Sequence, residues 1–123
     1  MAVCVGIDLV DVASVRASID AHGDRYLNRI YTDEERDECG MDIKMLATRF
    51  AAKEATMKAL GRSDEPLAWQ SIEVRAQAGP GVALWLHGAA RELARARGIA
   101  RLSLSLGATG ASVMALVIGE GAS

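Results

Sequence analysis

The sequence predicts an α+β fold, and three observations carry that reading. The chain opens on a short β-rich run, "VCVGIDLV", which several helical patterns follow. A hairpin-like pair comes next, "SIEVRAQ" and "VALWLHG", joined by the turn "AGPG". Two more strand-like runs, "RLSLSLG" and "ASVMALVIG", close the chain behind one further helix. This order lacks the regular strand-helix alternation of a doubly wound parallel sheet.

Each element has local support. The first strand is expected to end near Asp8, and Gly6 before it lets a ligand or another backbone come close. Asp11 suits the cap of a helix over "DVASVRASIDAHG", where Val12, Val15 and Ile19 recur at helical spacing and Gly23 is the stop. "DRYLNRIY" reads as another helical turn or two. Thr32 and Glu35 fit a capping box that starts a short helix, with Gly40 as its breaker. The acids of "TDEERDE" read as a solvated helix face. Asp42 caps a long helix from about Ile43 to Leu60, and Gly61 ends it. "RSDEPLAW" is a polar loop with Pro66, and "AARELARARG" is a short helix ending at Gly98.

With 123 residues the chain suits one domain, 1–123. Aromatics are few, so the core must rest on aliphatic side chains, Met and many Ala. A net charge of −2 supplies no global field for nucleic acid or a membrane surface, so any basic site must be local. Cys4 and Cys39 lack metal-ligand spacing and form no disulfide framework, which points to a reducing cytoplasm, with Cys4 as a small buried hydrophobe. "MAVCVGIDLVDV" has no basic n-region, and no apolar run is long enough to span a bilayer.

The central stretch "RFAAKEATMKALG" raises the functional question. At about 100° per residue, Ile43, Leu46, Phe50, Met57 and Leu60 share one arc, and Lys53 projects into it. Arg49 edges the arc, Glu54 lies beyond its other edge, and Lys58 sits one turn further on. A stripe of Ala would let another element approach closely. Two readings fit. In one, Glu54 and Lys58 form an exposed pair of about 0.2–0.5 kcal/mol, and Lys53 snorkels with its ammonium in water. In the other, Arg49, Lys53 and Lys58 meet an anionic ligand while Glu54 helps hold a cation. Mg²⁺ needs only one or two carboxylates beside water and phosphate, and Asp8 is the candidate second acid.

These motifs, in this order, resemble a known family. "GIDLVDV", "RFAAKEATMKALG", "SIEV" after a Trp and the late "SLSL" look like the holo-acyl-carrier-protein synthase group of 4′-phosphopantetheinyl transferases, over nearly the whole chain. The resemblance implies an antiparallel sheet packed on a long central helix, assembled as a homotrimer with active sites between subunits. It implies Mg²⁺-dependent transfer of the 4′-phosphopantetheine arm of coenzyme A to a serine of an acyl carrier protein. By motif match, the metal ligands are Asp8 and Glu54, and the catalytic groups are Glu54 and Lys58. Arg49, Lys53, Lys58, Gly61 and Ser105 would line the coenzyme A cleft, and Arg16, Arg25 and Arg29 would dock the acidic carrier.

The chemistry suits these residue types, since phosphoryl transfer relies on positioning and charge stabilisation. Two departures stand out. Leu106 occupies the position of the family's Ser-x-Ser-His histidine, and Pro80 follows Gly79 directly where the family commonly has a residue between. The first motivates an alternative: a weakly active or non-catalytic relative that binds coenzyme A or a carrier protein.

Overall fold

A computed structural model describes residues 2–61 and 67–122. Five strands and five helices follow in the order β1 (Val3–Asp11), α1 (Val12–His22), α2 (Asp24–Ile30), α3 (Asp33–Cys39), α4 (Ile43–Leu60), β2 (Ile72–Ala76), β3 (Val82–Leu86), α5 (Gly88–Ala96), β4 (Ile99–Ala108) and β5 (Ser112–Gly121). The fold is α+β, as predicted. The predicted "RSDEPLAW" loop falls largely on residues 62–66, which lie outside the described residues.

Two antiparallel sheets form, a three-stranded one in the order β1-β5-β4 and the hairpin β2-β3. Strand β1 runs further than expected. Its pairing with β5 continues to Asp11↔Ser112, so Asp8 sits inside the strand rather than at its end. Asp11 stands at the head of α1 without capping it; its carboxylate accepts a hydrogen bond from Ser112 Oγ instead. The other caps form as read. Thr32 and Glu35 close a capping box, Asp42 accepts from the Met45 amide, and Gly61 ends α4 at φ 81°.

Helix α4 lies across the inner face of the larger sheet on its small residues. Ala47, Ala51 and Ala55 have no exposed surface, and the contact with β1 is backbone to backbone. A Cβ on Gly6 would lie 1.9 Å from the Ala55 carbonyl oxygen, so only glycine permits that approach. The opposite side of α4 is covered too, by α3 and β2. The helix is therefore buried on nearly every side, which its weak amphipathic pattern reflects.

That covering overturns two readings. The acids of α3 are not all solvated: Glu35 is fully buried and Glu38 pairs with Arg49. Lys53 does not snorkel. Its side chain and that of Glu35 are both 0% exposed, with Nζ 2.7 Å from Oε1. Lys53 also donates to the Trp69 carbonyl at 3.2 Å and to that of Ile72. Glu35 in turn accepts from the amides of Thr32 and Val74, both at 2.9 Å. One carboxylate thus ties the start of α3 to α4 and β2. Cys4, expected to be buried, is half-buried, while Cys39 is buried, and both are free thiols. No helix among the described residues is long and apolar enough to cross a membrane.

Candidate functional site

The second half of α4 passes β1 at Asp8. Lys58 Nζ donates to Asp8 Oδ1 at 2.7 Å and to the Ile7 carbonyl at 3.2 Å. The Asp8 side chain is 10% exposed and that of Lys58 is 55% exposed, so the pair forms a floor and a rim. Glu54, one helical turn before Lys58, lies on the same face. Burial and then the charge of Asp8 raise its carboxyl above the ordinary value, against the pull of Lys58. The hydrogen bond that Lys58 donates to Asp8 raises Lys58 in turn. Two carboxylates thus share one lysine, an arrangement short of positive charge.

A divalent cation would supply that charge. No group of three or more His, Cys, Asp or Glu among the described residues could form a full protein cage. Two carboxylates, from Asp8 and Glu54, are the donor set that suits Mg²⁺, which keeps water and phosphate oxygens as its other ligands.

The remaining expected residues divide. Lys53 is not part of this cluster: one residue before Glu54 it is rotated by about 100° around the helix, into the buried pair with Glu35. Arg49 is buried against Glu38, and its Nε has no hydrogen-bond partner among the described residues. Gly61 lies under the guanidinium of Arg97, whose Cζ is 3.4 Å from where a Cβ would stand. Ser105 pairs with Leu116 and Ile7 pairs with the same residue, so Ser105 faces outward, on the side of the sheet opposite to Asp8. Within one chain it does not meet the Asp8–Glu54 pair. Leu106, by contrast, shares a row with Ala115 and Asp8 and packs against the core.

Arg25 and Arg29 line a cleft of about 350 Å³ with Tyr26, Phe50 and Trp69, the last two stacked at 5.1 Å. Arg16 is exposed on α1 and does not line it. Two features escaped the sequence reading. One is the Glu35–Lys53 pair, for which the capping box was the only hint. The other is Glu73, 3% exposed, which accepts from Thr32 and Arg75 and lies 3.1 Å from His87 Nε2. Burial raises its carboxyl, but these hydrogen bonds outweigh burial and hold it below the ordinary value. In β2, Ile72, Glu73 and Val74 are all buried, so the strand does not alternate between buried and exposed residues there.

A long small-residue helix on an antiparallel sheet, with an acid on the first strand and a Glu-Lys pair on that helix, defines a class. The chain belongs to the 4′-phosphopantetheinyl transferase superfamily, whose family model matches residues 4–103. Within that superfamily it is similar to holo-[acyl-carrier-protein] synthases. It is 38% identical to that of Desulforudis audaxviator, covering 97% of this chain and 93% of the relative. It is 35% identical to that of Herpetosiphon aurantiacus, over 94% and 97%. Among solved structures, the Neisseria meningitidis synthase superposes with a TM-score of 0.85 at 30% identity, covering 95% of this chain and 97% of that one. A Chronobacterium ammoniagenes ACPS–CoA complex gives 0.84 at 28% identity over 100% of both chains.

Proposed function

We propose that this chain is an Mg²⁺-dependent holo-[acyl-carrier-protein] synthase. It transfers the 4′-phosphopantetheine arm of coenzyme A to a serine of an acyl carrier protein. The observation that carries the reading is the Asp8–Glu54–Lys58 cluster in a chain of this superfamily. In the reaction the serine oxygen bonds to the β-phosphorus of coenzyme A, its bond to the bridging oxygen breaks, and adenosine 3′,5′-bisphosphate leaves. Mg²⁺ held by Asp8 and Glu54 would neutralise charge on the pyrophosphate oxygens. Lys58 orients Asp8 and, half-exposed, keeps ammonium protons for the phosphate oxygens that gain charge. Glu54, its carboxyl raised by burial and by Asp8, is the candidate acceptor of the serine proton.

The assembly we infer is a homotrimer. Val3, Val5, Ile7 and Leu9 are 55–70% exposed on the outward face of β1, beside Met114 and Ile118 of β5. Such a contiguous apolar face marks an interface. Ser105 opens onto the same face, so it would serve a site shared with a neighbouring copy. Lys58 takes the phosphate role that the sequence divided between it and Lys53. Arg25 and Arg29, with Arg16 nearby on α1, are the basic groups available to an acidic carrier, and the two free thiols suit a cytoplasmic setting.

The test is to incubate the protein with coenzyme A, Mg²⁺ and several apo carrier proteins and to weigh the carriers by mass spectrometry. Addition of the phosphopantetheine mass supports the reading, and Glu54→Gln should abolish it. Leu106 favours a second reading, in which the chain binds coenzyme A or a carrier without efficient transfer. Coenzyme A binding with no mass gain on any carrier would support that instead, and a large rate gain in Leu106→His would identify the leucine as the handicap.

A further inference from the structure

We propose that the cleft between the β3 and β4 edges is a second anion site, one that takes a small phosphate-bearing nucleotide. Its volume is about 640 Å³, within the range of small-molecule sites. Arg75, Arg91, Arg95, Arg101, His87 and Trp85 line it, a dense basic lining for a chain whose net charge is −2. The lining is also built rather than loose. Glu73, 3% exposed, lies 3.1 Å from His87 Nε2 and 2.7 Å from Arg75 Nη2, which fixes both side chains at the wall. The Arg75 guanidinium stands over the Trp85 ring at 4.7 Å, and Trp85 is still half exposed. Arg91 has no ion-pair partner among the described residues, while Arg95 and Arg101 hold only exposed ones, to Glu92 and Glu120.

Guanidinium groups bind phosphate oxygens bidentately, and an exposed indole offers a surface for a base to stack on. The concave shape favours a small ligand over a folded partner. The site is separate from the Asp8 cluster. On β4 it reaches only to Leu102, about 13 Å along the strand from Leu106 in the Asp8 row.

The experiment follows the imidazole NMR signals of the full chain during titration with ATP, ADP, adenosine and inorganic phosphate. The chain has two histidines, and His22, which lines the Arg25–Arg29 cleft, reports separately on binding there. ATP or ADP should move the His87 signals and leave those of His22 in place. Arg91→Ala/Arg95→Ala, at surface positions that spare the core, should weaken this binding about tenfold or more. Lys58→Ala should leave it unchanged. The proposal is overturned if His87 does not respond, if inorganic phosphate alone reproduces the response, or if the response disappears in Lys58→Ala. A response to an acidic carrier protein but to no nucleotide would also overturn it, in favour of a docking surface.

Discussion

At the scale of single residues, two carboxyl groups are displaced in opposite directions, and their effects on stability have opposite signs. The Glu73 carboxyl is held below its ordinary value of 4.5 by Thr32, His87 and Arg75, which outweigh its burial. Its contribution is therefore present above pH 4.5 and lost as pH falls through the depressed value. Glu73→Gln should flatten the acid limb of a Tm-against-pH profile; an unchanged limb would mean the hydrogen bonds contribute nothing there. Glu54 is raised above 4.5, by burial and by Asp8, so its ionisation costs the fold stability as pH rises through that window. A cation held by Asp8 and Glu54 would remove that cost. Mg²⁺ should raise Tm at neutral pH, and the shift should vanish in Glu54→Gln. The absence of any shift in the unaltered protein would remove the metal from this site.

The elements are held by contacts that permit little substitution. Gly6→Ala forces a methyl onto the Ala55 carbonyl, so β1 and α4 must separate; overpacking of this kind costs about 1–3 kcal/mol or more. Chemical denaturation should show it, and wild-type stability in the variant would mean the two backbones are not held so closely. Lys53→Met leaves Glu35 buried without its partner, a loss of roughly 3–5 kcal/mol. Lys53→Met with Glu35→Gln should cost less than the single change, because no uncompensated charge remains. A double variant as unstable as the sum of the two singles would show that the pair is not coupled. The bounds of α4 were legible because Asp42 and Gly61 are chemical punctuation, which the backbone obeys locally. The depth of Lys53 was not, because periodicity gives an angle around the helix and says nothing about what covers that side.

The whole molecule leaves an apolar sheet face open, and that face predicts the assembly. Val5→Lys on it should convert a species of three chain masses into one of a single chain, read by light scattering. A single chain mass in the unaltered protein would reject the trimer. Carrier modification should fall with the trimer if Ser105 serves a neighbour's site, since Ser105 and Asp8 face opposite sides of one sheet.

The sequence by itself determined the α+β class, the order of the elements and most of the caps, and it named Asp8, Glu54 and Lys58 as candidates without bringing them together. Strand alternation, capping chemistry and family motifs are written in neighbouring residues, and short-range physics enforces them. The tertiary structure alone decided the course of Glu35, Lys53 and Glu73. It also decided the side of the sheet that Ser105 faces and the basic cleft around His87. Each of these depends on which surfaces meet across a long stretch of chain. Whether a charged side chain is solvated or buried against a counter-charge is fixed only when those surfaces close.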